Sequence, residues 1–268
     1  MSPAKQSPSN GTRTSPPFSA RSVIASTLLG TYPPRLSPRR LVRSCSLFGI
    51  GEGAARVALS RMLAAGEVAL DEGRYALAGR LLERQTRQAD SRTGLAPSAW
   101  DGTWVVHIVT AENRGPSART DLREAMRRLH VAELREGTWL RPDNLDGERD
   151  GVATTLIAQQ CTTLRGARPA RPDALTADLF DVGDWAGTAH VLIDDLEGAE
   201  AGLVGGNDSV LASSFARNAE VLRHLLADPL LPLELLPPNW PGADLRSTFE
   251  RFDHAFSEAW QRAMRDAP

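Results

Sequence analysis

Gly53, Arg56, Val57, Ser60 and Arg61 fall at helical intervals within the segment Glu52 to Ala65, and so do its apolar residues Ala55, Ala58, Leu59 and Met62. At about 100° per residue the two sets lie on opposite sides of one helix. A guanidinium carries a planar fork of donors that matches a guanine edge or a phosphate. A hydroxyl can serve either, and a valine can meet a thymine methyl. The chemistry of that face is recognition of a nucleic-acid duplex. On an isolated helix such a face is more often merely solvated, so the neighbouring charge and elements must decide.

The charge favours recognition. No acidic residue precedes Glu52, whereas Lys5, Arg13, Arg21, Arg35, Arg39, Arg40 and Arg43 do, so the first 51 residues carry +7. The remaining 24 basic and 33 acidic residues give −9. A basic end is drawn to a phosphate backbone while the acidic remainder is repelled, which would orient the molecule. Arg39, Arg40 and Arg43 are candidate phosphate contacts, and Arg74, in a turn, is a candidate for a minor groove or flanking phosphate.

Other chemistries find weaker support. Gly49-Ile50-Gly51-Glu52-Gly53 resembles part of a dinucleotide fingerprint but follows a helical segment instead of a buried strand. His107, His130, His190, His224 and His254 are dispersed, with no pair at zinc-binding spacing. The acidic residues Asp178, Asp181, Asp184, Asp194, Asp195, Glu197 and Glu200 read as solvated helix surface. Cys45 and Cys161 supply neither a disulfide framework nor a zinc site. No nucleophilic triad is legible, so the expectation is a protein with no catalytic residues, metal or cofactor. No apolar run reaches the ~18 residues of a membrane span, and Met1 to Pro17 lacks a signal-peptide core, which predicts a cytoplasmic protein without membrane partners.

The elements that must position the arginines follow from periodicity and punctuation. Residues 1–18, rich in Ser and Pro, read as a disordered basic tail. Val23, Ile24, Thr27 and Leu28 share one helical face that closes at Gly30. Ser37-Pro38 starts a second helix, through Leu41, Val42, Cys45 and Leu47 to Gly49. The third helix ends at Gly66, and Val68 to Leu70 and Tyr75 to Leu77 form a hairpin around a Gly-containing turn. Helix, helix, turn, helix, hairpin is the order of a winged helix-turn-helix, expected over residues 19–80. Residues 81–97 read as a connecting helix and linker. Trp104 to Val109 and Gly137 to Leu140 read as strands flanking a helix from Thr120 to Leu129. With the apolar segments Thr154 to Ile157 and Cys161 to Leu164 they form a central α+β domain over 98–175. Residues 176–268 are mainly helical, interrupted by the Pro-rich stretch Asp228 to Gly242.

Three stretches resemble the PaaX-type repressors of phenylacetate catabolism. The first is Phe48-Gly49-Ile50 with Ala55-Arg56-Val57-Ala58-Leu59-Ser60-Arg61-Met62 and Gly66. The second is Trp100-Asp101-Gly102-Thr103-Trp104 with Leu122-Arg123, Leu134, Gly137, Trp139 and Pro142. The third is Asp228-Pro229-Leu230-Leu231-Pro232, Glu234-Leu235-Leu236-Pro237 and Asn239-Trp240-Pro241-Gly242. The chain departs from the family pattern at His130-Val131-Ala132, where Gly-Phe-Gly is frequent, and in its short wing.

The resemblance implies a multidomain α+β fold: an N-terminal winged helix-turn-helix, a ferredoxin-like (Cas2-like) central domain and a helical C-terminal domain. It further implies a homodimeric repressor that leaves a double-stranded DNA operator when a small effector, phenylacetyl-CoA or another acyl-CoA, binds. The anionic phosphates of such an effector would call for basic residues, and Arg123, Arg127 and Arg128 share one central helix. Two alternatives stay open: a metal-dependent enzyme acting on nucleic acid, with Asp101 as a ligand, and a DNA-binding regulator with no effector.

Overall fold

The computed structural model describes residues 18–93, 100–145, 150–206 and 210–266. The expected basic tail, apart from Phe18, and the expected boundary at Ala96-Pro97 lie outside the described residues. The chain divides into two compact units, with the division after Gln85.

In the first unit the helix starts are those the capping residues dictate. Helix α1 (Ala20–Leu29) begins at Ser19, whose hydroxyl accepts the amide of Ser22, and closes at Gly30. After the two-residue strand β1 (Arg35–Leu36) comes α2 (Pro38–Ser46), where Ser37 caps and Pro38, having no amide hydrogen to satisfy, takes the first turn. Gly49, at φ 70°, makes the turn into α3 (Glu52–Ala64). Strands β2 (Val68–Asp71) and β3 (Arg74–Leu77) follow, and then α4 (Gly79–Thr93). Glu72 and Gly73 connect the two strands with φ of 46° and 73°. Two positive values are what a tight hairpin needs to match the right-handed strand twist.

The sheet is three-stranded and antiparallel in the order β1-β3-β2, with Leu36 opposite Tyr75. Strand β1 has no counterpart in the sequence expectation, because two residues carry no periodicity. One core holds the unit together: Val23, Ile24 and Leu28 of α1 meet Leu41 and Cys45 of α2, Ala55, Leu59 and Met62 of α3, and Val68 and Leu77 of the hairpin.

The second unit opens with β4 (Trp104–Val109), α5 (Pro116–Arg128), β5 (Ala132–Arg135), β6 (Thr138–Pro142), α6 (Gly151–Gln160) and β7 (Cys161–Ala167). The strands are all antiparallel in the order β5-β6-β4-β7. Strand-helix-strand-strand-helix-strand with that order is the ferredoxin-like arrangement expected. Helix α5 starts at Pro116, ahead of the expected Thr120, since its first turn holds no large apolar residue, and its signal is the proline itself, which the first helical position tolerates. The polar strand β5 was likewise silent.

Leu122 and Met126 of α5 and Ala153 and Ile157 of α6 pack on one sheet face with Trp139 and Cys161. On the other face Trp104 and Leu140 meet Leu235, with Leu175, Leu179 and Phe180 against them. Leu175 and Leu179 belong to α7 (Pro172–Leu179), so the expected boundary at 175/176 falls inside a helix. Helices α8 (Val182–Val204), α9 (Leu211–Leu226) and α10 (Gly242–Asp266) share a core around Leu196, Val221, Leu225, Leu245, Phe249 and Phe252.

The Pro-rich stretch between α9 and α10 is tied down by two arginines, Arg141, which is buried, and Arg246, which is partly so. Arg141 of β6 donates from Nη2 to the Leu230 carbonyl at 3.1 Å and to Asn144 Oδ1 at 2.9 Å. Arg246 of α10 donates to Asp228 Oδ2 at 2.7 Å, and Asp228 Oδ1 accepts the Leu230 amide at 2.9 Å. Asp228 and Leu230 of the third motif thus sit where the central sheet and the C-terminal helices are joined.

Candidate nucleic-acid interface

Helix α3 presents the expected face to solvent. Its Ala55, Leu59 and Met62 are buried in the first core and Ala58 is half-buried, while Gly53, Arg56, Val57, Ser60 and Arg61 are exposed. Val57 matters most here, because a valine 52% exposed beside a Leu59 at 2% gains nothing from the core. Its methyl groups, flanked by Arg56 and Arg61, are open to an apolar contact.

The guanidinium of Arg56 is held within its own helix. Its Nε donates to Glu52 Oε1 at 2.7 Å, and its Nη2 lies 2.6 Å from the same oxygen. Arg39 and Arg40 of α2 are exposed, whereas Arg43, in the last turn, is half-buried. Arg74 is exposed at the start of β3, opposite Asp71, and Asp71 faces Arg35 of β1 at 3.5 Å. Arg39, Arg40, Arg61 and Arg74 form no side-chain ion pair among the described residues, which leaves their charge available to phosphates.

The frame of this unit is braced by Arg21, counted in the sequence only toward the basic charge, and Glu67, which drew no attention there. Arg21 of α1 donates from Nε to Glu67 Oε2 at 2.9 Å and from Nη2 to Oε1, which fixes α1 to the residue before β2. The hydrogen bonds from Arg21 hold the Glu67 carboxyl below the usual carboxylate range. Cys45 lies in the core, and burial raises its thiol above the ordinary value, which keeps it protonated and unreactive. Glu52 was also missed, although a carboxylate four residues before an arginine is a legible helical pairing.

The second candidate cluster is charge-compensated. Arg127 makes a two-pronged pair with Glu124, at 2.9 and 2.6 Å. Arg128 donates from Nε to Asp150 Oδ2 at 2.6 Å, and Asp150 also caps α6 by accepting the Ala153 amide. Arg128 therefore ties the end of α5 to the start of α6. Arg123 is exposed and lies 3.9 Å from Glu133. An anionic ligand here would compete with three carboxylates.

Asp101 sits in a turn: its Oδ1 accepts the Thr103 amide at 3.0 Å and the Thr103 hydroxyl at 2.5 Å. These bonds hold its carboxyl below the ordinary value. Among the described residues, no three His, Cys, Asp or Glu side chains are grouped so as to hold a metal ion. None of the described helices is long and apolar enough to cross a membrane.

A small helical and antiparallel-sheet unit with an arginine-bearing exposed helix, followed by a ferredoxin-like domain and a helical layer, defines a multidomain α+β protein. Three family profiles match it in order: PaaX-like protein at residues 19–81, PaaX protein central Cas2-like domain at 97–177, and PaaX-like protein C-terminal domain at 208–266. The chain belongs to the PaaX-like family of transcriptional regulators. Among solved structures it is similar to the uncharacterized protein Rv0674 from Mycobacterium tuberculosis, at 36% identity and a TM-score of 0.67, covering 91% of this chain and 98% of that one. No curated protein matches it.

Proposed function

We propose that this regulator is a homodimeric repressor that occupies a double-stranded operator through a winged helix-turn-helix in its first unit. Helix α3 enters the major groove with Arg56, Val57, Ser60 and Arg61 toward the bases. Arg39 and Arg40 of α2 contact phosphates, and Arg74 reaches flanking DNA from the wing. The observation that carries the reading is the exposure of Val57 between arginines on a helix whose opposite face buries Ala55, Leu59 and Met62. A small effector, for which the family resemblance points to an acyl-CoA, releases the protein because it favours the DNA-free form.

The test begins with selection from a random duplex library, then fluorescence anisotropy on the enriched duplex and on a scrambled one. Arg56→Ala should cost about 1–3 kcal/mol on the enriched duplex and much less on the scrambled one. An equal loss on both would make Arg56 a phosphate contact, and enrichment of no sequence would remove the operator from the reading.

A further inference from the structure

The pair between Glu52 and Arg56 uses one edge of the guanidinium and leaves the other open. Nε and Nη2 both point at Glu52 Oε1, at 2.7 and 2.6 Å. The opposite edge, Nη1 with the second hydrogen of Nη2, is the fork that fits the N7 and O6 acceptors of guanine. Glu52 is the first residue of α3, where a carboxylate is favoured by the helix dipole, and Glu four residues before a cation is the better orientation for such a pair. Both side chains are largely exposed, 61% and 64%, so the pair contributes little to holding the fold together. That leaves its placement on the recognition face to be explained.

We propose that Glu52 is a positioning residue that turns Arg56 into a base reader: it grips one edge of the guanidinium and aims the other outward from α3. The proposal rests on the reading of α3 as the recognition helix. An arginine with a free side chain can swing to any nearby phosphate, which strengthens binding to every sequence alike. Tethered to a carboxylate, the same arginine is nearly neutral as a pair, so phosphates attract it less. Its rotamer freedom is already spent, so a correctly placed guanine is bound with less ordering cost. Glu52 should therefore weaken binding to random DNA and sharpen the preference for one guanine. This is a specificity device made of two exposed residues.

The experiment uses the full chain and compares wild type, Glu52→Gln, Arg56→Ala and the double variant on the enriched and scrambled duplexes across a salt series. Circular dichroism confirms that each variant keeps its helix content. Glu52→Gln should bind the scrambled duplex several-fold more tightly, steepen the salt dependence by about one unit, and lower the enriched-to-scrambled ratio roughly tenfold. The lost preference should concern a single guanine position. In the Arg56→Ala background, Glu52→Gln should leave the ratio unchanged, since nothing remains to be positioned. The proposal is overturned if Glu52→Gln keeps the ratio while Arg56→Ala lowers it. It is also overturned if Glu52→Gln still lowers the ratio without Arg56, which would make Glu52 itself the reader. If Arg56→Ala leaves the ratio intact, the reading of α3 fails and this proposal fails with it.

Discussion

His107 is buried in β4 with its Nδ1 2.8 Å from the Thr163 hydroxyl, and burial, with Arg165 nearby, pushes its pKa down to about 4. An unfolded histidine protonates near 6.5. Between these values the unfolded chain binds a proton that the folded chain refuses, so stability is full above about pH 6.5 and is lost as pH falls toward 4. Urea unfolding at pH 7 and pH 4.5 should show this residue contributing about 2 kcal/mol of loss. His224 is shifted in the same direction by burial. The comparison that isolates His107 is therefore the variant His107→Gln, which should lose less stability on acidification than wild type. An identical pH dependence would mean that His107 protonates freely in the folded protein. A second histidine stands at a departure from the family pattern: His130 has φ 55°, a left-handed conformation that glycine adopts without strain, which accounts for the Gly frequent there in the family and not for the histidine.

Helices α2 and α3 divide the proposed DNA contact by chemistry. Helix α3 mixes an apolar side chain with two arginines, one of them tethered, whereas α2 offers Arg39 and Arg40, exposed and in no side-chain ion pair among the described residues. Arg40→Ala should thus weaken enriched and scrambled duplexes alike and reduce the salt slope by about one. An unchanged slope would take Arg40 out of the interface. Arg43, expected as a phosphate contact together with Arg39 and Arg40, is a poorer candidate than its neighbours because it is half-buried in the last turn of α2.

Beyond the first unit, the second, Thr86–Asp266, holds the ferredoxin-like sheet and the helices joined to it through Arg141, Asp228 and Arg246. That is far more than DNA reading requires, and it is where self-association and effector response would reside. Light scattering should give twice the chain mass both free and on DNA, because one small recognition unit gives limited specificity and two half-sites multiply it. A monomer in both states would refute the dimer. At fixed salt, phenylacetyl-CoA or another acyl-CoA should release the enriched duplex while CoA and phenylacetate do not. Release by all the anions alike would be an ionic-strength effect. The compensated arginines of α5 make an additional forecast: if Arg123, Arg127 and Arg128 hold the effector, Glu124→Gln should strengthen release by freeing Arg127.

The sequence by itself determined the starts of α1, α2 and α3 and the exposed face of α3. A capping serine before a proline, a glycine at a left-handed turn and a 3.6-residue period are local rules that act within a few residues. The long strands β4 and β6 were legible for the same reason, through their apolar content. Only the tertiary structure decided β1 and β5, which are strands because a neighbour supplies hydrogen-bond partners and not because their own residues demand it. It also decided which arginines are occupied. Arg21, Arg128 and Arg40 look alike in sequence, yet Arg21 is paired with Glu67, 46 residues on, Arg128 with Asp150, 22 residues on, and Arg40 is exposed. Burial and the carboxylate that happens to face a guanidinium are set by packing, so the charge a residue can offer a ligand is a property of the fold.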